Sequence, residues 1–227
     1  MSLTLDSSSI EAVLFDLDGT LLDTAPDLAS ALNYTLKQRM SETLDFPLVR
    51  PYVSYGADGL IELAYGQQLD TEQYQQVKKE LIAFYKNNIA EQTQLFATLD
   101  DGLTHLENND IKWGVVTNKP DHLTTPLLKA LNLYERASCI VSGDEVKHTK
   151  PHPESIYMAC EQIAIAPENV VYIGDAERDI QAGNSAGTKT IACEYGYIPA
   201  TEDIKNWQAD AVVEQPQHLS TWLKSLQ

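Results

Sequence analysis

Basic residues are few in this chain: 16 Lys+Arg stand against 33 Asp+Glu, for a formal net charge of −17. Such a surface repels polyanions, which excludes nucleic acids and anionic membranes as partners. Cysteine is scarcer still. Cys139, Cys160 and Cys193 lie far apart with no C-x-x-C pair, so neither a disulfide framework nor a cysteine zinc site is expected, only buried free thiols in a reducing compartment. No apolar run approaches the roughly 20 residues that a membrane-spanning helix needs. Met1–Ile10 has neither the basic start nor the apolar stretch of a signal peptide. Internal repeats and low-complexity tracts are absent. His105, His122, His148, His152 and His218 show no metal-ligand spacing. These absences lead to the expectation of a soluble, cytoplasmic protein, monomer or homodimer, that touches neither nucleic acid nor membrane.

What is present is a chain of 227 residues, 43% of them hydrophobic. That suits one large domain, or one core with a smaller unit inserted. Short apolar, β-branched runs predict strands at Ala12–Phe15, Lys112–Thr117, Ser138–Val141, Val170–Ile173 and Thr190–Cys193, with a weaker one at Ala211–Val213. Leucines and isoleucines at helical spacing separate them: Leu103 and Leu106, then Leu123, Leu127, Leu128 and Leu131, then Ile156, Cys160 and Ile163. Apolar strands alternating with helices predict an α/β fold, a parallel sheet covered on both faces.

One region breaks that rhythm. Between Thr24 and about Thr93 no strand pattern occurs. Thr24 is expected to cap a helix that has Pro26 in its first turn and carries Leu28, Leu32 and Leu36. A second helix holds Leu60, Ile61 and Leu63. A third holds Tyr74, Val77, Leu81, Phe84 and Tyr85. The expected organisation is an α/β core made of 1–23 and 94–227, interrupted by a helical cap domain at 24–93.

Four polar segments end four of the strands. The first is Asp16-Leu17-Asp18-Gly19-Thr20. Carboxylates at the exit of an apolar strand need compensation, and the carboxyl ends of strands are where open α/β sheets place ligands. One such carboxylate can attack phosphorus and a second can exchange protons with the leaving group and with water. The second segment is Thr117-Asn118, whose hydroxyl and backbone N–H groups suit phosphate oxygens without adding charge. The third is Lys150, a point cation between Thr149 and Pro151; Lys147 and Lys119 read as ordinary surface lysines. The fourth is Gly174-Asp175 with Asp179 one helical turn on. Asp16, Asp175 and a backbone carbonyl can offer oxygens to Mg²⁺, while Asp179 can orient water or Lys150 from behind, or serve as a first-turn acid of its helix. Together these groups suit phosphoryl transfer, which needs chiefly positioning and charge stabilisation.

DLDGT, VVTNK, the lysine of HTKPHP and GDAERD resemble the four motifs of the haloacid dehalogenase superfamily, and the aspartate two residues after the first resembles its phosphatase branch. DLDGTLLDTAPDL and YIGDAERDIQAGNSAGTKTI are similar to the phosphoglycolate phosphatase type. YGYIPATEDIKNWQADAVVE and WGVVTNKP are similar also to phosphatases acting on N-acetylmuramic acid 6-phosphate. The resemblance implies a Rossmann-like, doubly wound parallel core with a small helical cap. It implies a Mg²⁺-dependent phosphomonoesterase for a small phosphorylated metabolite, 2-phosphoglycolate first and N-acetylmuramic acid 6-phosphate as alternative, working through an aspartyl-phosphate. A phosphosugar mutase of the same fold is the further alternative. By the same resemblance Asp16 is the nucleophile and Asp18 the general acid/base. Thr117, Asn118 and Lys150 bind phosphate, and Asp16, Asp175 and the Asp18 carbonyl hold Mg²⁺. The stretch Arg50–Ala57 resembles the cap's substrate loop, with Arg50 and Gly56 as candidate specificity positions.

Overall fold

The computed structural model describes Leu5 and residues 9–227; most of the expectation about the N-terminal stretch lies outside the described residues. β1 (Ala12–Phe15) is buried on both faces. Val13 and Phe15 point into one apolar layer, with Trp113, Val115, Val171 and Ile173. Ala12 and Leu14 point into the other, with Tyr172, Ile156, Cys160 and Ile163. Residues alternate between the two sides of a strand, so a strand with no polar position must be covered on both.

After β1 the chain makes a short antiparallel ribbon from β2 (Leu22–Asp23) and β3 (Gln94–Leu95), and the helical segment leaves and returns through it. The core then continues with β4 (Lys112–Val116), β5 (Cys139–Val141), β6 (Val170–Gly174), β7 (Lys189–Cys193) and β8 (Ala211–Val213). These and β1 form one parallel sheet in the order β5-β4-β1-β6-β7-β8. The doubly wound arrangement expected from the sequence is therefore present, with strand limits shifted by a residue. The three cysteines are buried and free.

Between β2 and β3 lie α1 (Ala25–Gln38), α2 (Phe46–Val49), a 3-10 helix (Arg50–Tyr55), α3 (Gly56–Tyr65) and α4 (Thr71–Asn87). Leu28, Leu32, Leu36, Val53, Leu60, Ile61, Val77, Leu81 and Tyr85 bury one another in a cluster of their own. Two side chains from the α/β part, Leu123 and Tyr197, complete it. On the sheet, α5 (Leu99–Asn108), α6 (Asp121–Ala130) and α9 (Pro216–Leu223) supply leucines to the layer around Phe15. The layer around Leu14 is closed by α7 (Glu154–Ile163) and α8 (Glu177–Ala186).

The strand order is what positions the site. β1 sits between β4 and β6, with Phe15 opposite both Val115 and Ile173. Because all three strands run the same way, the residues just beyond their ends, Asp16, Thr117 and Asp175, are brought to one edge of the sheet. That edge faces the helical segment.

Candidate active site

Asp16 is buried, with its backbone N–H donating to Ile173 O at 2.8 Å. Its Oδ1 accepts from Lys150 Nζ at 2.7 Å. The chain then turns sharply at Gly19, whose φ of +91° is strained for any side chain. A Cβ there would stand 2.2 Å from Asp175 Oδ2, so the glycine lets the first motif close directly over the fourth. Asp175, also buried, accepts from Tyr197 N–H at 2.7 Å and from Thr20 Oγ1 at 3.1 Å.

Lys150 is enclosed by acceptors. Besides Asp16, its ammonium donates to Val116 O at 3.0 Å and Tyr172 Oη at 2.7 Å, and lies 2.7 Å from Asp179 Oδ1. Tyr172 in turn donates to Val116 O at 2.9 Å. Burial alone would lower the lysine's pKa, but the charges of Asp16 and Asp179 outweigh it and hold the group cationic. Asp179 Oδ2 accepts the Ala176 N–H at 3.0 Å, so this acid both fastens the first turn of α8 and anchors Lys150.

Two buried carboxylates, Asp16 and Asp179, share the Lys150 ammonium, and a third, Asp175, lies beside them without it. Asp16, Asp175 and Asp179 each offer an oxygen within 4.8 Å of the others. Burial, then the neighbouring charges of Asp16 and Asp179, push Asp175 up to about 8. Asp16 rises to about 6, through burial and against the pull of Lys150. Such a cluster is short of positive charge, and its donors are all hard oxygens. That donor set fits Mg²⁺ rather than a thiolate- or imidazole-seeking ion. Asp179 is committed to the Lys150 ammonium and a backbone amide, whereas Asp175 accepts only from neutral donors and so keeps its charge uncompensated.

Asp18 points away from this cluster. Its Oδ1 accepts from Thr24 Oγ1 at 2.6 Å and from Lys119 Nζ at 2.8 Å. Two sequence expectations are corrected here. Thr24 makes no side-chain cap to its helix, because its hydroxyl is drawn to the carboxylate instead. Lys119 is no surface lysine: its side chain is 6% exposed, paired to Asp18 and laid over the Tyr85 ring at 4.7 Å. Only its place right after Thr117-Asn118 hinted at this. Lys147 is exposed, as expected.

Thr117 is buried, and its Oγ1 accepts the Lys119 N–H at 3.1 Å. Asn118 uses its side chain within the protein. Its side chain clamps the backbone of Lys150 in both directions, accepting from Lys150 N and donating to Lys150 O, each at 3.1 Å. The amide group is thus spent on aiming the lysine, and what Asn118 can offer an anion is its main chain.

Above these groups lies a cavity of about 480 Å³, lined from below by Asp16, Asp18, Thr117, Asn118, Lys119 and Lys150. Leu81, Ile82 and Tyr85 of α4, with Val53 to Asp58, close it from above. The Tyr85 hydroxyl is buried and has no hydrogen-bond partner among the described residues, a cost that a bound polar group would remove. Gly56 lines the cavity, at a φ of +66°. Arg50 does not. Its guanidinium donates to Tyr195 O at 2.9 Å and Gly196 O at 2.8 Å and stacks over Tyr197 at 4.8 Å. Those donors grip the loop after β7, where two carbonyls face them in the bidentate geometry that a carboxylate would otherwise supply. Arg178 of α8, missed in the sequence, lines the cavity and reaches the opposite way, donating to Ser54 O at 2.7 Å and Ser54 Oγ at 3.0 Å. Tyr55 donates to Glu202 at 2.6 Å. The helical segment is thus latched over the site by contacts made in both directions.

Comparison with known proteins gives a consistent result. The profile described as haloacid dehalogenase-like hydrolase matches residues 13–193. The chain is 37% identical over 210 residues to an N-acetylmuramic acid 6-phosphate phosphatase of Pseudomonas putida, covering 92% of this chain and 94% of the relative. It is 38% identical over 208 residues to a phosphoglycolate phosphatase of Xanthomonas campestris, covering 92% and 94%. Among solved structures, that of a predicted phosphoglycolate phosphatase from Haemophilus somnus 129PT superposes with a TM-score of 0.86 at 28% identity, covering 97% of this chain and 99% of the other.

Proposed function

The chain belongs to the haloacid dehalogenase-like hydrolase family and is a phosphoric monoester hydrolase, and on that premise we propose that it is a Mg²⁺-dependent phosphatase in which Asp16 attacks the phosphorus of a small carboxylated metabolite. The observation that carries this reading is the shared ammonium: Lys150 holds Asp16 Oδ1 at 2.7 Å on the cavity floor. That contact fixes one carboxylate oxygen and leaves the other for in-line attack, forming an aspartyl-phosphate. Asp16, Asp175 and the Asp18 carbonyl would hold Mg²⁺, which neutralises charge on the transferring phosphoryl oxygens when bound. Thr117 Oγ1, the main chain at Asn118 and Lys150 would receive the remaining phosphate oxygens. Asp18 gives a proton to the leaving oxygen and later takes one from water; Thr24 and Lys119 hold its carboxylate in place meanwhile. Asp179 keeps Lys150 in line. The helical segment 24–93 acts as a cap on the core formed by 1–23 and 94–227, and its closure excludes water from the transfer.

Cavity size bears on the substrate. A volume of about 480 Å³ lies in the range of pockets that enclose drug-sized ligands, far more than a two-carbon acid fills. Apolar side chains of Leu28, Leu81, Ile82 and Leu123 line much of it. These features favour N-acetylmuramic acid 6-phosphate over the 2-phosphoglycolate that motif similarity put first. Both names occur among relatives of nearly equal identity. The test is kcat/KM for each compound with Mg²⁺ present. The expected result is inorganic phosphate from both, with at least about tenfold preference for the amino-sugar acid, the worth of roughly 1.4 kcal/mol of extra contact. A preference for phosphoglycolate reverses the substrate assignment. Release of an isomer in place of inorganic phosphate, from a sugar phosphate, would make the protein a mutase.

Arg50→Ala separates latching from chemistry. The variant is expected to raise KM several-fold, with kcat changed less and the thermal midpoint lowered, because Arg50 touches the loop at Tyr195 and Gly196 and not the cavity. Steady-state kinetics on the better substrate checks this. A loss confined to kcat would place Arg50 in the chemistry.

A further inference from the structure

The segment between β5 and α7 carries Lys150 inward and two histidines outward. His148 Nδ1 stands 2.8 Å from Glu154 Oε2, and His152 Nδ1 stands 3.9 Å from the same oxygen. The two imidazole rings lie 4.8 Å apart between centroids, and the three residues each offer a ligand atom within 4.8 Å of the others. Zinc bonds of about 2.0–2.1 Å in a tetrahedron set donor atoms roughly 3.3 Å apart, a value between the two separations seen here.

The carboxylate is held in place beforehand. Its Oε1 accepts the Lys147 N–H at 3.0 Å and its Oε2 the His148 N–H at 3.2 Å. The Glu154 N–H donates to His152 Nδ1 at 3.2 Å, which fixes the ring, and an ion that takes this lone pair displaces that one hydrogen bond. All three side chains reach solvent, which gives an ion a path in and leaves a position for water.

We propose that His148, His152 and Glu154 form a second metal site, specific for a transition ion of the zinc class. It is chemically distinct from the buried carboxylate cluster on the other side of the same loop. Imidazole donors favour Zn²⁺, Co²⁺, Ni²⁺ or Cu²⁺, where an all-oxygen set suits Mg²⁺. Binding displaces the proton that His148 Nδ1 shares with Glu154, and ties the chain on either side of Lys150 into one ring. No helical spacing marks this set, because the two histidines are brought together by a turn rather than by one helix face, and the acid completing it begins the next helix.

Co²⁺ titration of the full chain, with Mg²⁺ in large excess, tests this. Visible absorption is the readout, since cobalt with imidazole ligands in four-coordination absorbs far more strongly than octahedral cobalt on oxygens. A band saturating at a single equivalent and bleached by Zn²⁺ is expected. His148→Ala, His152→Ala and Glu154→Gln should each weaken it by roughly tenfold or more, since loss of even an outer-shell partner costs 10–100-fold. Asp16→Asn, His105→Ala and His218→Ala should leave it unchanged. No band, a band indifferent to the His148 and His152 changes, or one lost with Asp16→Asn would overturn the proposal.

Discussion

Asp16→Asn is expected to abolish phosphatase turnover, by roughly 10⁴-fold or more, as removal of a catalytic nucleophile does elsewhere, while the fold remains intact. The amide has nearly the shape of the carboxylate, and its oxygen can still accept from Lys150 Nζ, which already has Asp179, Val116 O and Tyr172 as partners. What it lacks is a nucleophilic oxygen. The stability of the metal-free protein should not fall, because one of three crowded buried charges has been removed. Initial rates with the preferred substrate, together with a thermal melt, check both halves. Near wild-type turnover would refute the nucleophile assignment; a large drop in melting temperature would mean that Asp16 is a structural anchor for Lys150.

The second large effect is a metal-dependent reversal of pH behaviour. Burial, followed by the nearby acids, lifts Asp175 to about 8, and burial lifts Asp16 to about 6. Both begin near 3.8 in the unfolded chain. Between these limits the native state binds more protons than the unfolded one, so stability falls as pH rises. The metal-free protein is therefore expected to lose of the order of a few kcal/mol between about pH 4 and pH 8. A divalent cation competes with those protons. Mg²⁺ should raise the melting temperature more at pH 8 than at pH 5.5, and EDTA should abolish activity until Mg²⁺ is restored. Melts across pH with EDTA or Mg²⁺ read this directly. Equal Mg²⁺ effects at both pH values would separate the metal from the carboxylate cluster, and full activity in chelator would remove it from the reaction.

Most of what can be read in the sequence lies on β1, β4 and β6. An apolar strand with no polar position must be buried on both faces, which dictates a covered parallel sheet. A strand that ends in acids or in Thr-Asn can place them only at an edge. From that follows the meeting of Asp16, Thr117 and Asp175, whereas Lys150, nine residues beyond β5, is placed by the motif resemblance alone. The α1, α3 and α4 helices are equally plain from their apolar spacing. The ribbon of β2 and β3 was not, since two residues per strand carry no periodicity. Arg50 shows the harder limit. A guanidinium prefers any bidentate acceptor, and only the tertiary path of the loop after β7 decides that backbone carbonyls, not a ligand, supply it. Lys119 fails for the same reason, since its partners Asp18 and Tyr85 come from opposite sides of the cavity. Tyr85 read as one more apolar position of α4. That its hydroxyl, over Lys119, is left without a partner among the described residues follows from how α4 sits on the sheet edge, which no local pattern encodes.

The account rests on phosphate passing through Asp16, and chemical trapping reads that directly. Enzyme turning over with Mg²⁺ is quenched with acid and reduced with borohydride, which converts an aspartyl-phosphate to homoserine, and the digest is sequenced by mass spectrometry. Homoserine is expected at position 16 and at no other acid, with none formed when substrate is omitted. Homoserine at Asp18, Asp175 or Asp179 in its place, or none at any acid while turnover proceeds, would contradict the central claim.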